Sequence, residues 1–207
     1  MSDFTAEIAG HTLEYFDNGH LYLIDGEIVS SVTQILKTRF GGKYDGIDPA
    51  VLKRAADKGT VVHEAIERYC KTGDAGENLQ ELRNFVFLQK RYGFEVLENE
   101  TPVMLFGEDG EPLAVGRCDL VLKQNGEIGG ADIKRTATLD REYLACQLNL
   151  YRIAYRQTYG TEWQFLRGIH LRDDTRKYVQ IPIDENRAWQ IVNEWRQQNV
   201  QEQHDAD

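Results

Sequence analysis

Apolar and polar positions change period several times along the chain, and each change predicts an element. HTLEYF (11–16) and HLYLI (20–24) alternate apolar and polar side chains about an Asp17-Asn18-Gly19 turn, the pattern of a β-hairpin. Gly26 marks a second turn, after which EIVSSVTQIL leads into a short helix that Ser30 or Ser31 can cap and that runs to about Lys37. RFGGKYDGID (39–48) is glycine-rich and predicts a loop. Pro49 suits the first position of the next helix and Asp48 its cap; this helix covers about 49–71, with Val62, Ile66 and Tyr69 at helical spacing and an interruption near Gly59. A further helix is predicted over about 77–92, with Leu79, Leu82, Phe85 and Leu88 on one side.

The period then shortens. FEVLENETPVMLF (94–106) predicts one or two strands, PLAVGRCDLVLK (112–123) another, and EIGGADIKRT (127–136) its partner across a turn at Gly126. An amphipathic helix spans about 141–159 and ends at Gly160; TEWQFLRGIHLR and KYVQIPI read as two more strands, and ENRAWQIVNEWRQQ as a closing helix. The order of elements predicts an α/β fold, a central mixed β-sheet flanked by helices and preceded by an N-terminal β-hairpin and a helical segment. With no repeat or linker, the whole chain 1–207 reads as one domain: hairpin and loop to residue 47, helical segment 48–92, core 94–200.

Composition narrows the class. Hydrophobic residues make up 41% and charged residues 28% of 207, enough to bury a core without cross-links. No apolar run approaches the ~18 residues of a membrane span, and MSDFTAEIAG lacks the basic and apolar regions of a secretory signal. Cys70, Cys118 and Cys146 are widely spaced and odd in number, which suggests free thiols in a reducing compartment; a cytoplasmic protein is expected, with no iron–sulfur cluster. The formal net charge of −10 argues against a broad nonspecific grip on nucleic acid. Part of it lies in the tail QEQHDAD and in loops around Asp74, Glu77, Glu108, Asp109 and Glu111. Basic residues cluster elsewhere, at Lys53, Arg54 and Lys58, at Lys134 and Arg135, at Arg152 and Arg156, and at Arg167, Arg172, Arg176 and Lys177, which leaves room for a local basic channel.

The chemistry concentrates on two neighbouring strands. Asp119 lies in VGRCDLVL and Asp132 in GGADIKRT, with Lys134 two residues on. Alternation puts Asp132 and Lys134 on one face and Ile133 on the other. If the strands pair through KQNGEI, Asp119 and Asp132 converge. Two close carboxylates repel unless a cation lies between them, and hard ions such as Mg²⁺ or Mn²⁺ prefer such oxygen ligands. A nearby ammonium can orient water or offset charge on a phosphate, so the set suits metal-assisted phosphodiester hydrolysis. The plainer alternative is an ion pair between Asp119 and Lys134, with Asp132 on a solvated edge. Gln147 and Tyr151, one turn apart on the following helix, face the sheet and need hydrogen-bond partners, which Lys134, a carboxylate or a substrate phosphate could supply; taken alone, the pair reads more simply as a core aromatic and a glutamine that caps a backbone group. His63 and Glu67, also one turn apart, could face one site, although a hydrogen-bonded helix histidine is the more ordinary reading of His63; Glu64 lies on a different, solvated side. Glu95, Glu98 and Glu100 precede the Asp119 strand; any of them could line the cleft, and by default they read as surface strand residues.

At these residues the chain resembles the PD-(D/E)xK nuclease superfamily, and within it the RecB-like branch that includes phage-type exonucleases. The resemblance spans roughly Ser30 to Tyr151 through SVTQIL, GTVVH, GRCDLVL, ADIKRT and QLNLY, in that order. It implies a restriction-endonuclease-like core, one or two Mg²⁺ or Mn²⁺ ions held by His63, Asp119, Asp132 and the carbonyl of Ile133, and a catalytic set of Asp119, Asp132, Lys134, Gln147 and Tyr151. It implies DNA as substrate, and a recombination or single-strand-binding protein as a partner, in a bacterial or phage-infected cell. An exonuclease acting on single-stranded DNA or DNA ends in repair or recombination is the first expectation. A structure-specific or nicking endonuclease and a catalytically silent DNA- or protein-binding module are the alternatives. Asp132 departs from the Glu that many members carry, and no helicase motif accompanies the set.

Overall fold

The computed structural model describes residues 3–74, 76 and 78–206, and of 43, 44 and 200–206 the backbone only. Glu77, where the sequence begins its third helix, lies outside the described residues, as do the side chains of the acidic tail. The chain opens with strands β1 (Phe4–Ile8), β2 (His11–Phe16), β3 (Leu21–Ile24) and β4 (Glu27–Ser31), followed by helices α1 (Val32–Phe40), α2 (Pro49–Thr72) and α3 (Gln80–Tyr92). Then come β5 (Glu95–Phe106), β6 (Pro112–Gln124), β7 (Glu127–Lys134), α4 (Arg141–Tyr159), β8 (Phe165–Leu171), β9 (Arg176–Ile181) and α5 (Glu185–Ala206). The fold is α/β, with a mixed nine-stranded sheet flanked by helices.

The predicted N-terminal hairpin is part of a four-strand antiparallel meander, because FTAEI adds β1 across a turn at Ala9-Gly10. Ser31, rather than Ser30, caps α1: its hydroxyl accepts from the Gln34 amide, and the Gln34 side chain accepts from the Ser31 amide. α1 runs three residues past Lys37 to Phe40, and a 3₁₀ turn at Gly41–Tyr44 takes up part of the expected loop. Asp48 caps α2 with Pro49 in its first turn, as read from sequence, but the helix continues unbroken through Gly59. Burial of Val62, Ala65 and Ile66 just beyond it outweighs the ~1 kcal/mol helix cost of one glycine. α4 matches its predicted span, between an Asp140 cap and a left-handed Gly160.

Side chains leave the sheet on both faces. Val121 joins a core with α1, α4 and α5, centred on Ile35, Leu148 and Ile191. Leu120, Leu122, Ala131 and Ile133 join a second core under α2 and α3, with Ile66 and Phe85. Strand alternation therefore turns Asp132 and Lys134 toward the α4 side.

The long strand β6 positions the site. Ala114 and Val115 pair on one edge with β5 and on the other with β4, in parallel. Farther along, Leu120 and Leu122 pair with β5 and, on the edge that β4 has left, with β7. Between Gly116 and Asp119 no strand among the described residues pairs with that second edge, so β4 and β7 form a fork over β6. β7 leaves β6 after the pair Leu120–Ala131 while staying in register with β8 through Lys134.

Candidate active site

Asp119 lies in the crotch of this fork. The register brackets it between Glu100 of β5 and Asp132 of β7, the next residues beyond the pairs Asn99–Leu120, Thr101–Cys118 and Leu120–Ala131. Three carboxylates thus occupy one row across three adjacent strands. Where the ladder ends, the Asp119 side chain replaces it: its Oδ2 accepts a 2.7 Å hydrogen bond from the Ile133 amide. Glu100 has a positive φ of 50°, a left-handed conformation that costs a non-glycine residue about 1–2 kcal/mol. Backbone strain of this kind persists where surrounding structure enforces it, often at functional sites.

The cations are arranged around the row. His63, from α2, places Nδ1 3.4 Å from Glu100 Oε1 and 3.8 Å from Asp119 Oδ2, with Nε2 3.2 Å from the Ile133 carbonyl oxygen. Arg117 Nε lies 2.8 Å from Glu100 Oε2. Lys134 Nζ lies 3.0 and 2.8 Å from the two oxygens of Asp132 and donates to Gln147 Oε1 at 3.0 Å. Gln147 Nε2 in turn donates to the Tyr151 hydroxyl at 3.4 Å. The sequence-level alternative, Asp119 paired to Lys134 with Asp132 solvated, is replaced: Lys134 pairs with Asp132, which is only 1% exposed.

Burial and crowding set the protonation behaviour. Burial raises the Asp132 carboxyl to about 6, helped by the Asp119 charge and opposed by Lys134. Burial likewise raises Asp119, against the pull of His63. For His63 burial opposes the charged ring, but Asp119 and then Glu100 outweigh it and raise its pKa to about 9. Burial also opposes the charge on Lys134, and Asp132 and Asp119 again outweigh it, so the ammonium is held above its ordinary value.

His63, Glu100 and Asp119 each offer a ligand atom within 4.8 Å of the others. One imidazole and two carboxylates form a hard, mostly oxygen donor set, which fits Mg²⁺ or Mn²⁺. Asp132 is not in this trio, and the Ile133 carbonyl touches it through His63. Reading Glu100 as a surface strand residue is corrected: its side chain is 15% exposed and bonded to His63 and Arg117. Glu98 is also turned inward, accepting from the Tyr155 hydroxyl and from Thr101. Glu67 instead pairs with Lys71 on its own helix, at 2.6 Å.

A cavity of about 210 Å³ opens onto the fork, with Tyr15, His20 and Tyr22 of the N-terminal sheet on one wall and Asp119, Gln147 and Tyr151 on another. Nothing in the sequence periodicity joins β2 and β3 to the site; the parallel pairing of β4 with β6 does so. A glycine is required at 116, where an added Cβ would lie 2.6 Å from Tyr151 Cε1. One expected basic cluster and one member of another are committed elsewhere. Arg152 and Arg156 form ion pairs with Glu162 and Glu185, and Arg135 pairs with the buried Glu81 at 2.6 Å.

No family model matches the chain, and no curated protein matches it. Among solved structures, the crystal structure of SSO0001 is similar at a TM-score of 0.48 and 16% identity, over 81% of this chain and 74% of that one. Among the described residues, no helix is long and apolar enough to cross a membrane.

Proposed function

We propose that the chain is a divalent-metal-dependent DNA nuclease with the restriction-endonuclease-like core of the PD-(D/E)xK superfamily, closest in kind to RecB-like and phage-type exonucleases. The observation that carries the reading is the fork itself. It gathers His63, Glu100 and Asp119 at a cavity and sets the buried Asp132–Lys134 pair beside them, around a row of carboxylates that repel one another. His63, Glu100 and Asp119 would hold the ion, with Asp132 and the Ile133 carbonyl adjacent to it. Bound there, Mg²⁺ or Mn²⁺ would polarise the phosphate and lower the pKa of water.

The protein's own groups supply orientation and charge. Lys134 places a fixed ammonium beside the reacting phosphate, where it offsets developing negative charge and can orient water. Gln147 fixes that ammonium from the α4 side, and Tyr151 fixes the Gln147 amide. Arg117 holds Glu100 in place through the carboxylate oxygen that His63 does not meet. We place the activity on single-stranded DNA or DNA ends in repair or recombination, in the cytoplasm, with a recombination or single-strand-binding protein as a fitting partner.

The test is cleavage of end-labelled single-stranded, double-stranded and circular DNA with Mg²⁺ or Mn²⁺, beside Asp119→Ala and Lys134→Ala. Release of terminal nucleotides from linear DNA, with circles left intact and both variants inactive, is the expected result. Wild-type cleavage that survives both substitutions removes the site; cutting of circles reassigns the enzyme as an endonuclease.

A further inference from the structure

A second cavity, of about 360 Å³, is lined by Lys134 together with residues of α1, of the loop after β7 and of the start of α4. Phe40, at the end of α1, and Tyr143, in the first turn of α4, meet there edge-to-face at 5.4 Å and 74° and make an aromatic corner. The Lys134 ammonium is 5.7 Å from the centre of the Tyr143 ring, so one side chain borders both this recess and the fork. Lys37 stands on the rim.

The polar groups of the recess are held in place. The Thr136 hydroxyl donates to the Thr138 carbonyl at 2.7 Å, which shapes the loop after β7. Asp140 accepts from the Glu142 and Tyr143 amides at 3.1 and 3.0 Å as the cap of α4.

We infer that this recess receives one unpaired base of a DNA strand, next to the phosphate that is cleaved. The inference rests on the nuclease reading and adds to it a reason for strand preference. Aromatic faces stack on any base without demanding a sequence, and hydroxyl and carboxylate acceptors suit the edge of an unpaired base. The two ammonium groups complement the phosphates on either side of it. A base in a duplex is held by its partner and its stack, and entering a recess requires leaving both. A strand whose phosphate lies at Lys134 and whose base lies on Tyr143 is therefore single-stranded or frayed at that nucleotide.

The test uses short single-stranded oligonucleotides carrying a fluorescent adenine analogue, or an abasic site, at each position in turn. Binding is measured with calcium, and cleavage with magnesium or manganese. One position, adjacent to the bond that is cut, is expected to change fluorescence on binding, and an abasic site there to weaken binding about tenfold or more. Tyr143→Leu and Phe40→Leu keep apolar bulk and are expected to flatten this positional profile while the thermal midpoint stays close to wild type. A flat profile in the wild-type protein, or one unchanged in both variants, overturns the inference. So does a mononucleotide that binds as tightly as the strand. A positional profile without any cleavage leaves the recess assigned and removes the nuclease reading; cleavage with a flat profile does the reverse.

Discussion

At the scale of single residues, the chain from Lys134 through Gln147 to Tyr151 makes a positional claim. Lys134 Nζ is shared between Asp132 and Gln147. Gln147→Leu keeps the volume on α4 but removes the acceptor. Loss of one hydrogen bond to a charged group costs about 1.5–3 kcal/mol, so kcat should fall roughly tenfold to a hundredfold. KM for DNA should change little, because the ammonium remains; an equal rise in KM with kcat unchanged would assign Gln147 to substrate binding instead. His63 makes a second claim. Its pKa of about 9 means that the ring carries a proton at neutral pH, which a metal bound as proposed would have to displace. Mn²⁺ affinity, measured by calorimetry without DNA, should rise by up to about tenfold per pH unit between pH 6.5 and 9, with proton uptake by the buffer. A pH-independent affinity over that range would remove His63 from the ligand set.

At the scale of elements, the fork requires close approach of β6 to α4. Gly116→Ala would place a methyl against the Tyr151 ring at 2.6 Å and against Val32 Cγ2 at 3.4 Å. Overpacking of this kind costs about 1–3 kcal/mol. Denaturant melts should show that loss, and the double variant Gly116→Ala with Tyr151→Ala should lose less than the sum of the two single changes. Strict additivity would mean that the strand and helix do not meet there. The same elements show which parts of the site were legible in the sequence. Asn125 and Gly126 both have positive φ, the requirement of a tight two-residue hairpin turn, and that turn fixes Asp119 opposite Asp132. The helical spacing of Gln147 and Tyr151 and the capping signals at Ser31 and Asp48 were equally local. Glu100 was only partly legible. It lies two residues from Glu98 in a continuous stretch of ladder, so alternation puts both on one face and cannot say which of them meets Asp119. The wall formed by Tyr15 and Tyr22 depends on a parallel contact of two residue pairs between β4 and β6, formed across more than eighty residues of intervening chain. No periodicity encodes such a contact.

At the scale of the whole molecule, the proposed metal site would make the row of carboxylates a trade of stability against metal binding. Asp132 has its pKa raised from 3.8 to about 6, so between those values the folded chain binds more protons than the unfolded one. Stability must then fall as pH rises through that window. His63, raised from 6.5 to about 9, stabilises the fold fully below 6.5, and that contribution is lost as pH rises through 9. Both slopes have the same sign, so in EDTA the thermal midpoint should decline from mildly acidic to alkaline pH. A divalent ion binds the folded state and not the dispersed carboxylates of the unfolded one, which adds about 2.7 kcal/mol at a hundred times its Kd. Because that ion also displaces the His63 proton, its stabilisation should grow with pH and flatten or reverse the decline. Asp119→Asn removes the central charge of the row. It should raise the metal-free midpoint above wild type while abolishing the response to Mn²⁺, the signature of a site whose unfavourable charges are kept for the ion they hold. A variant less stable than wild type in EDTA, or one still stabilised by Mn²⁺, would show that Asp119 is a structural partner of the Ile133 amide and no more.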